Sequence, residues 1–159
     1  MEFPKRIYTE EEVKKAKELI DRGYHHRLAI KGSTSFQQKT KQALELVKIA
    51  GYNDFLRTYI RKIEEIDGLT QLRQADAAIW TNPYAVENPV DAASILMQKA
   101  NSMKEYVESR LYYGGEAEKR AYEKRIEFLT VLKSKSKDKT VVQECERLLD
   151  QWRESSLVY

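Results

Sequence analysis

The chain has 159 residues, with 42% hydrophobic and 33% charged residues and only six Gly and three Pro. That composition excludes collagen-like, linker-like and wholly disordered chains and suits one domain with a real core. Its 28 basic and 25 acidic residues leave a net charge of +3, with both signs interspersed as on an ordinary solvated surface.

Thr9 and Glu12 have capping-box spacing, and Val13, Ala16, Leu19 and Ile20 continue at helical intervals until Gly23, predicting a first helix. Residues 26–30 read as a short strand, with Leu28 and Ile30 on one face. After the turn at Gly32, Ser35 and Gln38 are expected to cap a second helix, with Phe36, Thr40, Ala43, Val47 and Ala50 inward. Asn53 opens a third, carrying Leu56, Tyr59, Ile60 and Ile63 as far as Asp67. Ala77, Ala78, Ile79 and Trp80, before a Thr-Asn-Pro turn, predict an edge strand.

A fourth helix begins at Asn88 or Asp91, with Ala93, Leu96, Ala100, Met103 and Val107 inward. Gly114 and Gly115 break it from a fifth, about 116–133, with Ala121, Tyr122, Ile126, Leu129 and Leu132 inward. A sixth helix, about 138–155, bears Val141, Cys145, Leu148 and Trp152. The expected fold is α+β and predominantly helical: about six helices with a small sheet, as a single domain over 1–159.

No apolar run approaches the roughly 20 residues of a membrane span, and residues 1–6 lack a secretory h-region. With one cysteine, Cys145, a cytoplasmic setting is expected. The basic cluster at 133–139 has no aromatic interleaving, so no nucleic-acid partner is expected. His25 and His26, the only histidines, point apart if they lie on a strand and make a poor metal grip. Neither metal nor cofactor is expected. Tyr106, Tyr112, Tyr113 and Tyr122 bracket the glycine break and form either the rim of a core or a recognition surface.

Three stretches carry a family resemblance: 29–36 with Ala43 and Leu44, 89–103, and 115–122. Together they resemble the strand, active-site helix and following helix of a gluzincin metallopeptidase of the anthrax-lethal-factor-like sort, with a zincin-like core over about 28–132. The resemblance implies zinc held by His-Glu-x-x-His and a later glutamate. At the matching positions this chain has Gln98, Lys99 and Ser102, none of them a good ligand or base, and only Glu118 remains. The resemblance therefore implies a non-catalytic scaffold that has lost its metal and peptidase chemistry and acts in binding or assembly. Gln98, Lys99, Ser102 and Glu118 would form a vestigial cleft beside the Ala77–Trp80 edge, where a peptide adds as a strand.

Two alternatives stand beside this. One is a helical interaction or oligomerisation module unrelated to peptidases, with Trp80, Tyr84, Trp152 and Tyr159 anchoring a protein partner or a second copy. The other is an enzyme using paired carboxylates from Glu116, Glu118, Glu123 and Glu127, although these alternate with Lys and Arg like surface pairs. Convergence of Gln98, Ser102 and Glu118 on one cleft favours the vestigial site. A solvent-facing Glu118 favours the interaction module.

Overall fold

The computed structural model describes residues 2–158, with side chains described through Arg153. The expected tail anchor Tyr159 lies outside the described residues. Among the described residues six α-helices and a four-stranded sheet follow in chain order: α1 (Glu10–Asp21), β1 (Ala29–Lys31), α2 (Thr34–Ile49), α3 (Asn53–Tyr59), β2 (Lys62–Glu65), β3 (Gln71–Arg73), β4 (Ala78–Thr81), α4 (Pro89–Val107), α5 (Gly115–Lys135) and α6 (Lys139–Val158). The predominantly helical α+β class is as expected.

The sheet order is β1-β2-β4-β3, with β1, β2 and β4 parallel and β3 antiparallel to β4. Register lines up Ile30, Ile63, Ile79 and Leu72 across the four strands. Because side chains alternate along a strand, this one row makes the apolar face. Ile63 and Ile79 in its middle are fully buried, and both join the core with α2 and α4. The opposite face is largely polar, with Lys62 paired to Glu64 at 3.0 Å and the Arg73 guanidinium over the Trp80 ring at 4.2 Å. Helices therefore pack on one face of the sheet.

This register corrects two expectations. The run through Ile63 does not continue the third helix: α3 ends at Tyr59, Ile60 turns extended, and Lys62–Glu65 is a central strand. Leu56, Ile60 and Ile63 fit a helical period, while Lys and Glu on the solvated face hide the strand composition. The second correction concerns Ala77, Ala78, Ile79 and Trp80. They are not an edge: Ala78–Thr81 is an inner strand bonded to β2 and β3, and Ala77 precedes it with φ of 49°. Both ladder sides of β4 are occupied, so no peptide can add there. β3 shields it.

Helix boundaries follow local chemistry. Thr9 and Glu12 form the reciprocal capping box, with bonds of 3.2 and 2.8 Å. Ser33, rather than Ser35, caps α2 by accepting from the Phe36 N–H. Gly32 is required just before it, since a Cβ there would lie 2.7 Å from Phe36 Cδ1 and 2.8 Å from Glu65 Cβ. Asn88 caps α4 through the Val90 and Asp91 N–H groups. On α5 the inward set is Ala117, Ala121, Phe128, Leu129 and Leu132. Tyr122 and Ile126, expected inside, are exposed, because Phe128 turns the apolar stripe toward α2 and α3, where Tyr52 meets its ring.

The N-terminal segment is tied down by polar contacts. Ile7 N–H donates to the Ala75 carbonyl at 2.7 Å, and Tyr106 Oη–H donates to the Ile7 carbonyl at 2.6 Å. The Arg61 guanidinium donates to the carbonyls of Pro4, Lys5 and Asp76. Beneath this segment His26 is buried between the rings of Phe3 and Tyr24, its Nε2 without a partner. Burial, with the nearby Arg61 and Arg57 charges and His25, pushes its pKa down to about 4.

Candidate functional site

Helix α4 presents Asp91, Ser94 and Gln98 at intervals of three and four, one polar line along a helix whose other positions are mostly buried. The residue meeting that line from α5 is Arg125. Its Nη2 donates to Asp91 Oδ1 at 2.8 Å, Nε to Ser94 Oγ at 3.2 Å and Nη1 to Gln98 Oε1 at 3.3 Å. The Trp152 ring of α6 covers the guanidinium at 4.4 Å. Burial draws the Arg125 pKa below that of a free guanidinium, and the Asp91 carboxylate opposes the shift. Each of its three nitrogens has a partner, and one ring lies over the cation.

Of the four residues expected in a vestigial cleft, the structure brings two together. Ser102 Oγ donates to the Gln98 carbonyl at 3.2 Å, one turn apart on α4. Lys99 is half-buried beside them, and desolvation, together with the Arg125 charge, lowers its pKa. Glu118 is exposed and makes no hydrogen bond or ion pair with Gln98, Lys99 or Ser102. The proposed convergence therefore fails at Glu118, and Arg125 holds the place facing Gln98. The sequence carried a signal for this, the polar spacing 91–94–98, but nothing in it singled out Arg125 from the other cations of α5.

The next turns of the same seam hold a second closed pair. Arg120 donates twice to Glu105, at 2.9 and 2.7 Å, and Asn101 adds a third bond at 3.2 Å. Arg120 holds the Glu105 carboxyl below the usual carboxylate range. The expected carboxylate set does not assemble either. Glu127 accepts from Tyr52 Oη at 2.7 Å and pairs with Lys124 at 2.8 Å, whereas Glu116, Glu118 and Glu123 are exposed. Hydrogen bonds from Lys124 and Tyr52 lower the Glu127 pKa, the wrong direction for a general acid. Cys145 is buried, with its pKa raised to about 11, so it holds its proton at neutral pH. Among the described residues no three His, Cys, Asp or Glu side chains come close enough to hold a metal ion. Among them, too, no helix is long and apolar enough to cross a membrane.

An open groove lies elsewhere, between α1 and the chain leaving α4. Glu108 ends that helix, and Ser109 takes φ of 60°, a left-handed conformation uncommon outside Gly and Asn. The Ser109 and Arg110 N–H groups then donate back to the Tyr106 and Glu105 carbonyls at 3.1 and 2.8 Å, a Schellman-type closure. This turn sends residues 110–113 along a groove of about 790 Å³ whose far wall is α1. Tyr106, Tyr112 and Tyr113 meet edge to face at 5.3 Å centroid spacings. Tyr8 is 67% exposed, Leu111 60% and Tyr113 63%. The expected tyrosine cluster divides: Tyr106 and Tyr112 are half-buried, Tyr113 borders the groove, and Tyr122 leaves the group to pack on Trp152.

No family model, curated protein or solved structure matches this chain.

Proposed function

We propose that this chain is a non-catalytic protein acting in binding or assembly, in a cytoplasmic setting. The observation that carries the reading is Arg125. A guanidinium bonded to Asp91, Ser94 and Gln98 and covered by Trp152 occupies the α4 face on which gluzincin chemistry would need a metal ion. A buried cation repels zinc and offers it no lone pair. The scaffold is either a zincin-like one that has lost its site or a helical interaction module of separate origin. The exposed Glu118 supports the second. Protein or peptide is the partner class, with self-association as the other form of assembly.

Zinc titration of the parent and of a Gln98→His, Lys99→Glu, Ser102→His variant tests this reading, with peptide cleavage followed in parallel. Neither protein is expected to bind zinc tightly, because Glu118 makes no contact with that face and Arg125 does. Stoichiometric zinc in the parent with cleavage of peptides would overturn the reading. Tight zinc in the triple variant that weakens on Glu118→Ala would instead restore the vestigial cleft.

A further inference from the structure

We propose that the groove between α1 and residues 110–113 is a docking site for a short acidic peptide segment bearing large apolar side chains. This rests on the reading of the chain as a binding protein and names the ligand class. The volume, about 790 Å³, is in the range of sites that enclose several side chains of a ligand. Three large apolar side chains, Tyr8, Leu111 and Tyr113, stand mostly exposed around one depression. Single exposed apolar residues need no explanation, but a cluster about a concavity marks an interaction surface. Tyrosines suit such a surface because the ring buries area while the hydroxyl keeps a polar contact.

Charge selects the partner. Lys14 on the α1 wall and Arg110 on the opposite wall line the groove; among the described residues neither is in a salt bridge, and the carboxylate on which Arg110 acts, Glu105, is already bonded twice by Arg120. Lys17 joins them and shares Asp21 at 2.9 Å, and the only carboxylate in the lining is Glu10. A ligand bringing its own carboxylates to both walls gives Lys14 and Arg110 the direct ion pairs that neither makes among the described residues. The carbonyls at the end of α4 do not repel it strongly, since Ser109 and Arg110 N–H groups already occupy those of Tyr106 and Glu105. A long polyanion fits poorly. Glu10, Glu11 and Glu12 crowd the first turn of α1, and Glu108 lies near enough to act on Lys17. A phosphate backbone running through would meet negative charge at both ends.

The test uses the full chain and three fluorescein-labelled probes: the peptide Asp-Phe-Glu-Leu-Asp-Leu-Glu, the same peptide with Lys at every acidic position, and oligouridylate. Anisotropy should show saturable binding of the acidic peptide, with the Lys peptide weaker by roughly tenfold or more. The Lys14→Glu, Arg110→Glu double variant should reverse that order, and both positions are exposed, so folding should survive. Equal binding of the two peptides, or oligouridylate binding that displaces the acidic one, would overturn the proposal. Absence of acidic-peptide binding would overturn it as well. If the protein then self-associates in sedimentation and the double variant does so equally, the groove assignment falls while the assembly reading stands. Peptide cleavage would bring down that reading itself.

Discussion

The α4–α5 seam and the tyrosine groove share the same helix, yet their side chains are in opposite states. In the seam both guanidinium groups are matched: Arg125 with Asp91, Ser94 and Gln98, and Arg120 with Glu105. In the groove, Lys14 and Arg110 make no salt bridge among the described residues, Arg110 acting only at a distance on Glu105, and Tyr8, Leu111 and Tyr113 are mostly in water. Closed polar networks hold helices in register, whereas unmatched apolar and charged surface persists where something else completes it. Residue type alone would have assigned the roles the other way, since the polar line of α4 looks more like chemistry than a set of tyrosines does.

The largest expected effect that separates the two regions is Arg125→Ala. It strands Asp91, leaves Ser94 and Gln98 without a partner and removes the cation stacked on Trp152. Removing one member of a buried pair costs about 3–5 kcal/mol, and Asp91 at 34% side-chain exposure regains some water. A loss of about 2–4 kcal/mol in urea unfolding is expected, with acidic-peptide binding unchanged under conditions where the variant stays folded. A loss under 0.5 kcal/mol would mean the seam is surface decoration and would break the comparison.

Acid acts through the other region. His26 has a folded-state pKa of about 4 against roughly 6.5 in an unfolded chain. The unfolded chain takes up the proton first as pH falls below about 6.5, so this contribution is present above that pH and is lost progressively down to about 4. A difference of about 2.5 units corresponds to at most about 3–4 kcal/mol. The His26 ring lies under Phe3 of the segment that delivers Tyr8 to the groove wall, with Ile7 held by Tyr106. Hydrogen exchange should therefore show residues 3–8 losing protection in this window before the seam does. His26→Leu should flatten the pH dependence of unfolding between 6.5 and 4 relative to the parent. An unchanged slope in that variant would assign the acid response to carboxylates such as Glu105 and Glu127, whose folded pKa values are depressed.

How far the sequence could be read depends on which side chains carry the signal. The inner stripes of α2 and α4 were legible residue by residue, since Thr40, Ala43 and Val47, like Ala93, Ala100 and Met103, are buried at helical spacing. β2 was hidden because three of its four residues are charged and only Ile63 enters the core. β4 was recognised as a strand but placed at an edge, because the partner β3, only three residues long, leaves little pattern to see. At the candidate site, the face shared by Gln98 and Ser102 was readable from spacing alone. The rotation of α5, which turns Arg125 inward and Glu118 out, was not: its cations and carboxylates alternate so evenly that several faces fit. The packing of Phe128 decides among them. The tyrosine cluster was visible, but its far wall, α1, lies about a hundred residues upstream, and only tertiary structure joins the two.

The smallest stability effect gives the finest distinction between seam and groove. Leu111→Ser and Tyr113→Ser replace side chains that are 60% and 63% exposed and lie beyond the Schellman closure, so neither removes a core contact or a backbone bond. Surface substitutions of this kind usually change stability by about 0.5 kcal/mol or less, in either direction. The double variant is therefore expected to unfold at the same urea concentration as the parent within that margin, with an unchanged m-value. If apolar surface in the groove exists for a partner, the same two substitutions should weaken the acidic-peptide probe by about tenfold or more, because buried aromatic and aliphatic anchors dominate interfaces of this sort. Neutrality on folding with loss of binding is the signature of a recognition surface. A drop of about 2 kcal/mol in stability would show instead that Leu111 and Tyr113 fold down onto α1 in solution, making the groove part of the core rim.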